Sequence, residues 1–177
     1  MRRGIWIAVV VALAAGLSWG GWTWTHPTVL RDTSALGNFD YAPQPVNESY
    51  WMGVAGAMHG SRQTVTLHGV RAHFASNTAA ATATFWVCRT SVAVGAGSTR
   101  GGDQLGRMCS RLDPVHDEQR LVLAAETDHD QIVMKLVASK PGTAYVDRVD
   151  FTYTRDARHL WQHGTDTSEQ DWRITAR

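Results

Sequence analysis

The chain has 177 residues, 44% of them hydrophobic and 19% charged, with a formal net charge of +1. That balance belongs to a globular chain and excludes a disordered one. Two of the positive charges, Arg2 and Arg3, precede an apolar stretch and leave 15 basic and 16 acidic residues beyond it; with no clustered positive charge, nucleic acid is excluded as a partner.

From Gly4 to Leu30 there is no Asp, Glu, Lys or Arg. Ile5 to Trp24 spells a helix of about 30 Å, the thickness of the hydrocarbon layer of a bilayer. Trp6 lies near one end, and Trp19, Trp22 and Trp24 near the other, as in the aromatic belts of spanning segments. Arg2 and Arg3 are expected to stay in the cytoplasm, so residues 1–24 read as a single-pass signal-anchor with the remainder outside. The alternative is a cleaved signal peptide, with Ala12-Leu13-Ala14 as an early small-x-small site, and secretion of the rest. Residues 25–49, with Pro27, Pro43 and Pro45, read as a stalk.

From Tyr50 to the C-terminus the pattern is that of strands. Gln63 to Leu67 alternates, with Val65 and Leu67 on one face. In Ala79 to Cys88, Ala81, Ala83, Phe85 and Val87 oppose Thr82, Thr84, Trp86 and Cys88. Arg120 to Ala125 sets Leu121 beside Leu123. Gln131 to Ala138 sets Ile132, Met134 and Leu136 against Val133, Lys135 and Val137. In Tyr145 to Thr154, Val149, Phe151 and Tyr153 point inward. His159–His163 and Asp171–Ala176 are two further short candidates. Seven or eight strands separated by Gly, Pro, Asp and Asn turns predict an all-β domain over 50–177, an antiparallel immunoglobulin-like β-sandwich behind one transmembrane helix.

Cys88 and Cys109 are the only cysteines, and outside the cytoplasm they are expected to form a structural disulfide. The bridge closes a loop that contains Gly95-Ala96-Gly97-Ser98-Thr99-Arg100-Gly101-Gly102. This run lacks the Lys of a phosphate-binding loop, and no helix is expected behind it. His116 and Asp117, with Asp113 and Glu118, form one polar cluster; Asp128, His129 and Asp130, with Glu126, form another. Both hold ligand types for zinc or calcium. The strand between them should keep them about 20 Å apart, too far for one ion. A solvated turn is therefore preferred, and no metal, cofactor or catalytic motif is assigned. Tyr50, Trp51, Trp86, Trp161 and Trp172 are the aromatic candidates for an interface.

Two stretches, Thr64-Val65-Thr66-Leu67-His68-Gly69-Val70 and Val146 to Gly164 with its Val-Asp-x-Val-Asp-Phe-Thr-Tyr core, resemble uncharacterised, signal-anchored actinobacterial proteins. The resemblance covers about a quarter of the chain. It implies one extracytoplasmic β domain behind an anchor, and no activity. Two functions are expected from these readings. One is a non-catalytic, membrane-tethered interaction or assembly module with a protein partner in the cell envelope. The other is an extracytoplasmic metal- or small-ligand-binding domain built on the His and Asp clusters.

Overall fold

The computed structural model describes residues 2–25, 28–30, 39–40, 42–56, 63–90, 99–100, 103–123, 128–155 and 162–177. His159, Trp161, Tyr41, Glu126 and most of the Gly-rich run (95–98 and 101–102) lie outside the described residues. The final strand states the rule of the fold. From His163 to Ala176 exposed and covered positions alternate almost without a break, because successive side chains of a strand point to opposite faces and one face is buried.

The chain begins with helix α1 (Arg2–Thr25). Ten strands follow among the described residues: β1 (Phe39–Asp40), β2 (Ser49–Ala55), β3 (Gln63–Asn77), β4 (Ala81–Thr90), β5 (Thr99–Arg100), β6 (Cys109–Pro114), β7 (Gln119–Leu123), β8 (His129–Ala138), β9 (Gly142–Arg155) and β10 (His163–Ala176), with the short helix α2 (Asp103–Met108) before β6. They form two sheets, sheet A in the order β1-β10-β9-β3-β7 and sheet B in the order β5-β2-β8-β4-β6. Four long strands in each sheet pair antiparallel; β1 joins β10 in parallel.

The β-sandwich is thus as expected, but its strand order is not the immunoglobulin one. That order places the first two strands side by side. Here β2 and β3 lie in opposite sheets, and the chain changes sheet again at β3–β4, β6–β7, β7–β8 and β8–β9. Tight corners permit these crossings. Gly142 adopts φ +146° at the β8–β9 corner, where a Cβ would meet Thr78 and the Ala79 amide at 2.9 Å.

The inner faces close on one core that includes Val65, Leu67, Ile132, Met134, Leu136, Val149, Phe151, Tyr153, Trp172 and Ile174. The inward residues read from Tyr145 to Thr154 are all among them, and of the two faces read from Gln131 to Ala138 the core takes the one with Ile132, Met134 and Leu136. A second, smaller cluster covers the outer face of sheet B, where Trp51, Cys88, Cys109 and Val133 pack against Leu105 of α2. Cys88 and Cys109 are joined as a disulfide with their Cα atoms 5.2 Å apart. It staples β4 to β6 where the chain leaves α2. A helix therefore does follow the Gly-rich run, contrary to expectation; it is held by burying Leu105 rather than by any periodicity of its own.

The 25–49 segment is not a free stalk. Leu30 is fully buried in the core, Phe39 and Asp40 pair with Trp172 and Arg173 of β10, and Gln44 bridges Ala176. Before this docked stretch, Ile7, Val10, Leu13, Leu17, Trp19 and Trp22 of α1 are all more than 60% exposed. Among the described residues no helix is long and apolar enough to cross a membrane.

Candidate functional site

The sandwich is unevenly closed along one side. β7 pairs with β3 only from Gln63 to Leu67, and β6 pairs with β4 only from Trp86 onward. Beyond those points β3 up to Asn77 and β4 from Ala81 have, among the described residues, a single neighbour each. The inward residues there, Val70, Ala72, Phe74, Ala83 and Phe85, are only partly buried against the core. They line a slot between two sheet edges. At its foot the β6–β7 crossing, held by a Val115 amide to Phe85 carbonyl bond of 2.9 Å, walls a cavity of about 620 Å³ that reaches His68, Trp86, His116 and Lys135.

On the outer face beside it, Trp51 and Trp86 meet edge to face with centroids 5.6 Å apart. The Lys135 ammonium stands 5.3 Å over the Trp51 ring. Of the aromatic candidates, Trp86 borders the 620 Å³ cavity. Trp51 is largely covered, and Tyr50 and Trp172 are core residues.

The polar clusters are rearranged by the topology. His129 and Asp130 are adjacent on β8 and so point to opposite faces. His129 is buried on the outer side, its Nε2 3.2 Å from Gln131 Nε2. Asp130 is buried on the inner side and accepts Arg89 Nε at 2.9 Å, Arg89 Nη2 at 3.0 Å and the Val122 amide at 2.8 Å. Asp128 is exposed, at φ 61°. Asp117 caps its own turn through the Glu118 amide, and His116 Nδ1 lies 3.0 Å from the Asp117 carbonyl.

The 20 Å separation does not hold. β7 belongs to sheet A and β8 to sheet B, so the chain folds back, and Asp113, His116 and Asp130 line one cavity of about 370 Å³ with Arg89, Arg111 and Arg120. Both carboxylates there are already engaged by arginine, Asp113 by Arg111 and Asp130 by Arg89. Among the described residues no group of three or more His, Cys, Asp or Glu could hold a metal ion. His68 Nε2 is 3.0 Å from Thr154 Oγ1, whereas His73 sits farther along β3 on Asp150 at 2.6 Å.

Sequence reasoning missed a third arrangement. Tyr153 donates to Asp166 at 2.6 Å. The Asp166 carboxylate also accepts the Leu30 amide at 2.7 Å, and Tyr153 Oη accepts the Val29 amide at 2.8 Å. Burial, then the bond to Asp166, pushes the Tyr153 hydroxyl well above its usual range. Gly164 leaves the room this requires, since a Cβ there would fall 2.2 Å from the Tyr153 ring. The clasp fastens the chain to the domain at Val29, four residues after α1 ends.

Of the anchor residues, Arg2, Arg3, Trp6 and Trp24 lie in the helical backbone of α1, and the Trp19 and Trp22 side chains are exposed. The clasp, the slot and the arginine-lined cavity have no counterpart to guide their reading: no protein family, curated protein or solved structure matches the chain.

Proposed function

We propose that this protein is a non-catalytic, membrane-tethered recognition module of the cell envelope. α1 inserts in the lipid with Arg2 and Arg3 on the cytoplasmic side, and the sandwich stands outside and receives an extended segment of a protein partner in the β3–β4 slot. The observation that carries the reading is the slot itself. Two edges that have no further strand neighbour among the described residues flank a row of half-buried apolar side chains, the geometry that accepts an added strand by main-chain hydrogen bonds with side-chain pockets for specificity.

The tether is supported by α1. From Gly4 to Thr25 it carries no charged residue, and its Ile7, Val10, Leu13, Leu17, Trp19 and Trp22 side chains are exposed. The disulfide suits an oxidising exterior. From Thr25 to Val29 the chain reaches at most about 14 Å, so the clasp keeps the domain close to the lipid surface.

Ala83→Lys places a charge in the slot at a position only partly buried against the core. Tested in the full chain in its own membranes, it is expected to abolish a site-specific photo-crosslink formed from position 72, while Thr167 on the opposite face yields none. Equal crosslinking from both positions, or none from position 72, removes the slot as a recognition surface. Recovery of the full chain in a soluble fraction with reduced thiols removes the tether.

A second reading, small-ligand binding, is favoured by one observation: the fold gathers residues from both predicted polar clusters into one cavity.

A further inference from the structure

Trp86 is held as a fixed surface rather than as part of the inner core. It lies on the outer side of β4, at the last pair that β4 makes with β6, and is only partly buried, against the outer cluster. The Trp51 ring meets it edge to face at 5.6 Å, and its Nε1 donates to Thr84 Oγ1 at 3.4 Å. Both contacts set the plane of the indole before anything binds. The ring borders the cavity of about 620 Å³ at the β6–β7 crossing, a size within the roughly 300–1,000 Å³ of small-ligand pockets.

Three polar side chains of that lining are each held by one group and keep another. His116 Nδ1 lies 3.0 Å from the Asp117 carbonyl, which can only accept, so the proton is on Nδ1 and Nε2 is left as an acceptor. Asp117 Oδ1 accepts the Glu118 amide at 3.0 Å, which leaves its second oxygen. Thr84 Oγ1 accepts from Trp86 and retains its own O–H. The Lys135 ammonium, over the Trp51 ring, brings three N–H donors. The lining therefore mixes donors with acceptors and sets one ammonium against one carboxylate. An anion would meet the Asp117 charge, and an alkyl ligand would bury these polar atoms unpaired. A polyhydroxyl ring meets both requirements. Each hydroxyl donates once and accepts twice, and the C–H face of the ring lies flat on an indole.

We propose that this cavity is a saccharide site: one ring of a neutral sugar chain stacks on Trp86, Asp117 and His116 accept from its hydroxyls, and Lys135 and Thr84 donate to them. Trp51 is a positioning residue, which sets the angle of Trp86 without touching the ligand. The site rests on neither the tether nor an added strand. Loss of the crosslink from position 72 would leave it standing, and absence of sugar binding would leave the slot standing.

The test is calorimetric titration of the full chain, in micelles of a detergent without a sugar headgroup, with maltotriose and, separately, with triacetylchitotriose. At least one is expected to bind saturably at one site, and the preferred one shows whether an acetamido group is read. Trp86→Ala removes the stacking surface and should weaken binding about tenfold or more, as when a stacking ring is cut to alanine elsewhere. Asp117→Asn keeps the turn through its amide oxygen and loses a charge-assisted hydrogen bond, so it should bind about tenfold more weakly with the fold intact. Should Trp86→Ala lose the fold, Asp117→Asn decides alone. Arg71→Gln, on the outer face of sheet A, should leave binding unchanged. Failure of both trisaccharides to bind, or binding by either cavity variant as tight as that of the unaltered chain, overturns the proposal. Succinate binding as tightly as the sugars would overturn it too, by marking the cavity as an anion site.

Discussion

On the outer face of sheet A, Arg71, His73, Arg148, Asp150 and Thr167 neighbour one another across three strands in contact with water. On the outer face of sheet B, Trp51, Cys88 and Val133 are buried beneath α2 and stapled by the disulfide. The inner faces of the two sheets share one core, so the difference lies outside it. A sheet with one wet face is specified by alternation alone. A sheet covered on both sides needs something to hold the cover in place, because six residues of helix do not persist unaided.

The comparison breaks first at the shared core. Phe151→Ala empties a fully buried inward position on β9, and about 4 kcal/mol of stability should be lost in chemical denaturation. Both outer faces should melt together. If the cover of sheet B melts separately, the two clusters are not one cooperative unit.

Replacing both Cys88 and Cys109 by serine should remove about 3 kcal/mol, by the chain-entropy estimate for a closed loop of this length. The emission of Trp51 and Trp86 should shift to the red as α2 loosens, while sheet A keeps its strands. The matched change on the wet face, Arg148→Ala, should alter stability by no more than about 0.5 kcal/mol. A comparable loss from both would mean that the wet face also depends on fixed contacts. Lys135→Met sharpens the same contrast. It keeps the aliphatic stem over Trp51 and removes the charge, so it should lower stability by about 0.5–1 kcal/mol.

These faces also explain what the sequence made legible. Val149, Phe151 and Tyr153 alternate with polar residues because β9 has one wet face, and both their strand and their direction could be read. β8 does not alternate; His129 to Met134 are all buried, since both faces of that strand are covered. β10 was legible only from Asp171 onward. Its earlier inward positions are Asp166, Ser168 and Gln170, which carry no apolar signal. They are satisfied from elsewhere, Asp166 by Leu30 and Tyr153, and Ser168 by Gln170 at 2.5 Å. The clasp and the arginine-lined cavity were hidden for the same reason. Asp166 lies 136 residues from Leu30 in sequence and Asp130 lies 41 from Arg89, and no local spacing encodes such a meeting. The disulfide could be read because only one pairing existed.

The smallest effect belongs to the wet face and depends on pH. Burial would raise the Asp150 carboxyl, but the hydrogen bonds from Thr167 and His73, and then the charges of His73 and Arg148, outweigh it and hold the group below its ordinary value. A carboxyl depressed in the folded state stabilises fully above its unfolded pKa of about 3.9, and that contribution is lost as pH falls through the folded value. Asp150→Asn should therefore lower stability slightly at pH 7 and flatten its decline below about pH 4, measured by denaturation across that range. The side chain is about a third exposed, so screening keeps the change small. An unaltered acid limb in the variant would show that Asp150 gains nothing from its neighbours.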